Sequence, residues 1–468
     1  MHILSRRHFI GGLASLAALP PEAFAAEAAT GQLPAYYADY LDGIAAKARA
    51  AAAKGATHGF FFFTDPHLSA NYDKSGLVIA DLVRRTGVTR VIGGGDYSVA
   101  FAYGKPPRPF VERLYAKMNA LWRDPIEAAG GRLFTAKGNH DLRVHTDRTR
   151  SGGFVYASAK TRELLMATRE SAAVSTNPDE KSGLYFYRDD PEAKVRYIVA
   201  DTSDGVRAED SASTGAGYAN VIRDDQMRWL GEVALGTVPA GYGVIVVHHI
   251  PLTPFTDRPY HAEQPYADLR RTLEAYQAHG RAETRAGTFD FSSRAGGDIL
   301  CDLSGHKHAD RFTFANGILH ITEICDAYYS DPLARTPFSG QLFANRKARA
   351  GTTREQGFDL LVFGGGALRT TRVGIGQDRI FRLAPLRLKR GESRRLSTEL
   401  GDASWRIFDS WDVKVDAKQQ DPARRYLFAN EIASVTPDGV VSAKAPGWAT
   451  ALALAPDFRK EVFGIQVV

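Results

Sequence analysis

Cysteine is nearly absent: Cys301 and Cys325 are the two in a chain of 468 residues. Neither belongs to a Cys-x-x-Cys spacing, so a structural zinc site built on thiolates is not expected. The pair reads as two buried free thiols on neighbouring strands, with a disulfide between them as the open alternative. Long apolar runs are lacking as well. Beyond residue 25 no stretch approaches about eighteen uninterrupted apolar positions, so no membrane-spanning helix is expected in the mature chain. Internal repeats and low-complexity tracts are missing. A strong charge imbalance is also lacking: 59 Lys and Arg stand against 53 Asp and Glu, a net charge of +6. The excess is scattered arginine, as at Arg84-Arg85, Arg270-Arg271 and Arg394-Arg395. It reads as a solvated surface with weak attraction for anionic substrates, and no nucleic-acid binding is expected.

What is present is ordinary globular composition, 44% apolar and 24% charged, in a length that favours two domains. At the N-terminus, Arg6-Arg7 precede the apolar run Phe9–Leu19, and Ala23-Phe24-Ala25 offers small residues for cleavage. Residues 1–25 thus resemble a twin-arginine (Tat) signal peptide, which implies export of the folded protein to the periplasm or beyond. Residues 26–56 are Ala-rich and read as a linker with a helix near Tyr36–Ala53. Strand and helix signals then alternate. Gly59–Phe63, Val88–Ile92, Arg132–Thr135, Val195–Ala200, Gly243–Val247 and Asp298–Leu303 are continuously apolar, as in strands buried on both faces. Helical patterns fall between them at Lys74–Thr86, Pro109–Ala129, Arg162–Arg169 and Asp225–Ala234. Such alternation predicts an α/β domain with largely buried sheets.

Five short polar clusters each follow one of the apolar runs. They are Asp65-Pro66-His67, Gly95-Asp96, Gly138-Asn139-His140-Asp141, His248-His249-Ile250-Pro251 and Gly305-His306-Lys307-His308. In α/β folds, loops at the carboxyl ends of strands collect ligands, so these groups are expected on one rim. Their carboxylates, imidazoles and amide oxygen suit two divalent cations about 3.5–4 Å apart, which need one group that touches both. Asp96 is the candidate bridge, because Gly93-Gly94-Gly95 lets backbone come close. Asp65 and His67, two apart at a strand end, point to one side and can chelate one ion. His306 and His308 share that spacing and can divide between the two. Either histidine of the His248-His249 pair is available, His249 being preferred and His248 the alternative. A site of this kind points to phosphoester hydrolysis.

The order and content of the clusters resemble the calcineurin-like metallophosphoesterase family over roughly residues 57–385. The resemblance implies a four-layer α/β/β/α sandwich and two divalent metal ions, iron, manganese or zinc. It assigns Asp65, His67, Asp96 and His308 to one metal, and Asp96, Asn139, His306 and His249 to the other. It implies attack by a metal-bridging hydroxide, with His140 as general acid and Asp141 accepting a hydrogen bond from its imidazole. Lys307 and Pro66 fill variable positions of the motifs and remove no ligand.

Other residues carry weaker expectations. Lys137, Arg143 and His145 flank the third cluster, and a solvated loop is expected there rather than substrate contact. His320 reads as core, Asp201 as a strand end that is not a ligand, and Tyr97 and Tyr103 as ordinary packing or pocket wall. The segments 104–108, 171–181 and 253–297 are expected to shape specificity among small-molecule or lipid-type phosphoesters. From residue 386 helical periodicity stops. Ile432–Ala443, with its Pro437-Asp438-Gly439 turn, and Pro446–Thr450 predict a hairpin. They resemble a bacterial Ig-like (group 2) domain, which implies a small all-β sandwich over 386–468 and contact with the cell envelope. The competing reading is a cell-envelope binding protein that uses this Ig-like unit and carries an inert phosphoesterase domain.

Overall fold

The computed structural model describes residues 32–67, 72–97, 108–141, 143–145, 153–155, 158–165, 173–178, 184–204, 221–252, 266–308, 310–326, 351–410, 413–415 and 426–468. The signal-like segment 1–25, Tyr103 and much of the segments 104–108 and 171–181 lie outside these residues. So do residues 253–265, and so do the side chains of Arg143 and His145.

Two large sheets dominate. The first has nine strands, in order β14-β15-β16-β13-β12-β11-β1-β2-β3. These are β1 (Ala56–Phe63), β2 (Arg90–Gly93), β3 (Arg132–Thr135), β11 (Gly357–Gly364), β12 (Ala367–Gly374), β13 (Arg379–Leu388), β14 (Ser404–Asp409), β15 (Gly447–Leu454) and β16 (Lys460–Val467). The second has seven, in order β9-β10-β8-β7-β6-β5-β4. These are β4 (Ser175–Thr176), β5 (Phe186–Asp190), β6 (Val195–Val199), β7 (Gly243–Val247), β8 (Ile299–Ser304), β9 (Arg311–Ala315) and β10 (Ile318–Thr322). Strands β1, β2 and β3 run parallel, as do β6, β7, β8 and β10.

Side chains alternate across these strands with period two, and the alternation sorts the layers. Val195, Tyr197 and Val199 of β6, Ile245 and Val247 of β7, and Cys301 and Leu303 of β8 share one core with Phe60 and Phe62 of β1. Phe60 meets Tyr197 edge-on at 5.9 Å. Their neighbours Ile198, Val244 and Val246 face the other way, into a core with Trp229, Leu230, Leu269 and Leu273, which Ile299 joins across a register shift between it and Cys301. These come from α5 (Asp224–Arg228), the wider π-helical turns at Trp229–Leu235, and α6 (Ala267–Gln277). On the outer face of the first sheet lie α1 (Ala38–Ala52), α2 (Tyr72–Thr86), α3 (Arg108–Met118) and α4 (Asp124–Ala128), with π turns at Asn119–Arg123. Phe63 packs there on Trp122 at 4.3 Å. The helix expected over Pro109–Ala129 is thus three joined pieces. Residues 266–297, expected as part of a specificity element, instead supply α6 and the hairpin Arg281–Thr284/Gly287–Asp290, whose Leu269, Leu273, Tyr276 and Phe289 pack on the outer face of the second sheet.

The C-terminal strands do not begin a separate sheet. The expected boundary at 385/386 falls inside β13, which pairs in parallel with β16. Strands β16, β15 and β14 then continue the nine-stranded sheet antiparallel. The expected hairpin forms, pairing Ala433–Val435 with Val440–Ala443, and Ser393–Arg395 completes a three-stranded sheet beside it. Its core unites Leu388, Ala433, Val441, Ala451 and Ile465. The same C-terminal strands cover β9 of the second sheet: Phe314 N–H donates to Thr450 Oγ1 at 2.9 Å.

Where the sheets meet, five charged side chains are buried together. Arg372 donates to Asp359 at 2.6 Å, Asp310 at 2.7 Å and Glu323 at 2.9 Å. Arg379 donates to Glu323 at 2.7 Å and also pairs with Asp359. A buried charge is tolerated only when paired, so removing one partner exposes the cost of the rest. Arg372→Met should therefore lower stability by about 3–5 kcal/mol in urea unfolding; a change within experimental error would contradict this account. At the opposite end of the strands, Arg90 at the start of β2 donates to Asp190 at the end of β5, one of its bonds spanning 2.8 Å. Burial opposes the charge on Asp190, but hydrogen bonds from Arg90 and the Ala193 N–H outweigh it and bring the carboxyl down from 3.8 to about 2. The folded state thus favours the charged form. Its stabilisation is complete above about pH 4 and lost as pH falls through about 2. Asp190→Asn should accordingly cost stability at pH 6 and little at pH 2, by comparison of urea midpoints.

Candidate metal centre

Five loops leave the carboxyl ends of β1, β2, β3, β7 and β8 and converge on one rim. Their backbones are tied to one another. Asp65 N–H donates to Gly95 O at 2.9 Å, His67 N–H to Asp96 O at 3.2 Å, and Gly305 N–H to His249 O at 2.9 Å. Two glycines permit the approach. A Cβ on Gly138 would lie 2.2 Å from Asp96 N, and one on Gly305 would lie 2.0 Å from Thr64 Oγ1. Nine described non-glycine residues have positive φ, and five of them are Asp65, His67, Asp96, His306 and His308, at 48° to 67°. Left-handed backbone is costly for residues with a Cβ, and it persists at sites that surrounding structure over-determines.

The side chains form two groups. Donor atoms of Asp65, His67 and His308 lie within 4.8 Å of one another, as do those of Asp96, His249 and His306. Asp96 Oδ2 joins the groups, at 3.1 Å from His249 Nε2 and 3.7 Å from His67 Nε2. Asp96 Oδ1 accepts the His140 N–H at 2.8 Å. Asn139 Oδ1 stands 2.8 Å from His306 Nδ1 and 3.1 Å from His249 Nε2. His249 Nδ1 donates to Gly94 O at 2.8 Å, which leaves Nε2 aimed at Asp96 and Asn139. His67 Nε2 and His308 Nε2 face each other at 3.0 Å, and His308 Nε2 is 3.1 Å from Asp65 Oδ1. That oxygen is buried and has no hydrogen-bond donor, whereas Asp65 Oδ2 accepts from Thr64 Oγ1 and His306 N–H.

Buried acceptors converging without donors call for a cation. The electrostatics agree. Burial opposes charge on His249, but Asp96 and Asp65 outweigh it and raise its pKa to about 9. Burial is likewise outweighed at His308, where Cys325 and Asp65 hold the imidazole well above its ordinary value. Carboxylates that draw protons onto imidazoles in this way would accept a divalent ion in their place.

Every proposed ligand is therefore on the rim: Asp65, His67, Asp96, Asn139, His249, His306 and His308. The alternative His248 is not. It points into the core, where Nε2 is 2.6 Å from Asp302 Oδ1, and Asp302 Oδ2 is 2.6 Å from Nδ1 of His320. Asp141 has a backbone task that the sequence did not show. Its carboxylate accepts the N–H groups of Asp96, Gly138 and Tyr97 at 2.8, 2.8 and 2.9 Å, so it holds the Asp96 loop. The His140 ring stands beside that of His67, with centroids 5.3 Å apart and Nε2 3.8 Å from Asp96 Oδ2. Burial lowers its pKa to about 4 against the pull of Asp96. Lys137 is not on a solvated loop. It is buried and paired with Asp201 Oδ2 at 2.5 Å. Tyr97 packs edge-on against Phe63 rather than facing solvent. Cys301 and Cys325 are both buried and unbonded to each other. The supporting roles of Thr64 and Asp302 went unread in the sequence, although each stands in or at the end of a strand that leads to a ligand.

No family model matches the chain, and no curated relative does. Among solved structures, the chain is similar to a dimetal phosphatase from Danio rerio, at 14% identity and a TM-score of 0.45, covering 69% of this chain and 98% of that one. It is similar to the anchor in the inner membrane complex of Plasmodium, at 13% identity and a TM-score of 0.35, covering 68% and 84%. It is also similar to the phosphopantetheinyl hydrolase of Mycobacterium tuberculosis, at 14% identity and a TM-score of 0.23, covering 58% and 91%.

Ligands that bind only the folded state stabilise it by mass action, by about 2.7 kcal/mol at a hundredfold excess over Kd. Adding manganese or zinc to metal-stripped protein should therefore raise its melting temperature. His249→Ala should abolish most of that rise and His248→Gln should leave it intact; the reverse pattern would refute the assignment.

Proposed function

We propose that this chain is a metal-dependent phosphoester hydrolase with two divalent ions on the rim. The single observation that carries the reading is Asp96 Oδ2. It lies within reach of both donor groups, so one buried carboxylate oxygen can serve two ions. Asp65, His67 and His308 would hold one ion with Asp96, and Asn139, His249 and His306 the other. Their nitrogen and oxygen donors do not select strongly among iron, manganese and zinc. Ions in such sites supply an activated water and neutralise charge on a phosphoryl group.

The chain's own residues set the rest. Asp141, through three backbone N–H bonds, fixes the loop that carries Asp96. The His140 N–H to Asp96 Oδ1 turns the other oxygen toward the rim. The His140 side chain is 20% exposed, on the same loop as Asn139, and is the group placed to hand a proton to a leaving oxygen. A substrate's negative charge would offset the burial that favours the neutral ring. The helix, sheet, sheet and helix packing supports the four-layer sandwich expected of such enzymes. Export through a Tat-type signal and an Ig-like character for the C-terminal strands belong to the same proposal.

Purified protein should contain close to two equivalents of transition metal and hydrolyse an aryl phosphate or an aryl phosphodiester. Asp96→Asn should lose both metal and turnover. His140→Ala should keep its metal while losing turnover by about 10²–10⁴-fold. Wild-type turnover in both variants, or a metal-free active enzyme, would sink the proposal.

A further inference from the structure

A second polar cluster lies behind the centre and touches two of its loops. Lys137, two residues before Asn139, has a side chain with no exposed surface. Its Nζ pairs with Asp201 Oδ2 at 2.5 Å and donates to Ser203 O at 3.0 Å. Asp201 follows β6 of the second sheet, whereas Lys137 follows β3 of the first, so the pair bridges the sheets at the rim. The Asp201–Asp204 turn is itself rigidly held. Ser203 N–H donates to Asp201 Oδ1 at 2.8 Å, and the Gln226 amide accepts from Asp201 N–H at 2.8 Å and donates to Asp201 O and Asp204 Oδ2. The same turn reaches the fourth loop: Thr202 Oγ1 accepts the Ile250 N–H at 3.1 Å, one residue beyond His249. Tyr266 OH closes it from behind, donating to Thr202 O at 3.0 Å.

One four-residue turn therefore grips the loop of Asn139 and the loop of His249, whose donor atoms meet at 3.1 Å. The other members of that group have different support. Asp96 rests on Asp141, and His306 is fixed through its N–H to Asp65 Oδ2. The Asp65, His67 and His308 group is braced by Thr64 and the Asp96 loop.

We propose that Lys137 and Asp201 are positioning residues that set Asn139 against His249, and so govern occupancy of one of the two metal positions selectively. The pair carries no chemistry of its own. Lys137 directs its ammonium into the turn, where its charge is neutralised by Asp201. This inference rests on the two-ion reading above.

The test is a cobalt(II) titration of the metal-free full chain, followed by absorbance, for wild type, Lys137→Met and Lys137→Met/Asp201→Leu. Wild type should bind two equivalents. Lys137→Met should bind one equivalent with the wild-type constant and the second about 10–100-fold more weakly, the range found when outer-shell supports of metal ligands are removed. Its turnover should return toward wild type when cobalt is raised. The double variant leaves no buried charge unpaired, so it remains measurable if Lys137→Met does not fold, and it should show the same selective loss. Wild-type constants for both equivalents, or equal weakening of both, in the folded variants would overturn the inference. Fewer than two equivalents in the wild type would instead refute the two-ion reading.

Discussion

The molecule depends on one electrostatic constraint: two carboxylates, Asp65 and Asp96, buried with oxygens that accept nothing like the donors they need. Asp65 is fully buried and Asp96 nearly so. Each gives one oxygen to backbone N–H groups of neighbouring loops and turns the other toward imidazole nitrogens. Such an arrangement has no stable meaning without positive charge in the space between. Protons on His249 and His308 can supply some of it, and divalent ions can supply it at the spacing the donors define. The left-handed backbone at five of the ligands is a further cost of order 1–3 kcal/mol per residue. A fold keeps such costs only where surrounding structure enforces them.

The enforcement comes from the two facing sheets. Parallel strands place their carboxyl ends on one rim, and the shared core sets the distance between rims. β1, β2 and β3 deliver Asp65, Asp96 and Asn139 from one side, and β7 and β8 deliver His249, His306 and His308 from the other. Neither sheet alone carries a complete donor group: Asp65 and His67 need His308, and Asp96 needs His249 and His306. Everything that locks sheet to sheet is therefore part of the site. That includes the aromatic core around Phe60 and Tyr197, the Arg372 and Arg379 ion pairs, and the Lys137–Asp201 pair.

The donors were legible in the sequence because each sits directly after an apolar run. Such a run predicts a doubly buried strand, and strand ends have a known polarity. Periodicity also located most elements to within a few residues. What was not legible depends on contacts between elements remote in sequence. The choice between His248 and His249 turns on the pleat: the strand direction sends one ring to Asp302 in the core and the next to the rim. The task of Asp141 could not be read from its place beside His140, because its partners are backbone N–H groups of residues 96 and 97 as well as 138. Lys137 looked like a surface lysine because its partner lies 64 positions away on the other sheet.

The C-terminal strands show the same logic at larger scale. Composition changes near residue 386, and a change in composition suggests a domain boundary. Pairing ignores it: β13 begins in the half that carries the five rim loops and its parallel partner β16 ends the chain. The strand that follows the His306–His308 loop, β9, is covered by β15 and β16, with Gly464 closely applied to Phe314. Asp310 at the start of that strand is held by Arg372 of β12 and Arg379 of β13. Residue 308 is thus only two positions from a charge network rooted in the strand that joins the two parts of the chain. The C-terminal strands are better understood as part of the frame that holds the histidine loop, whatever else their exposed face engages.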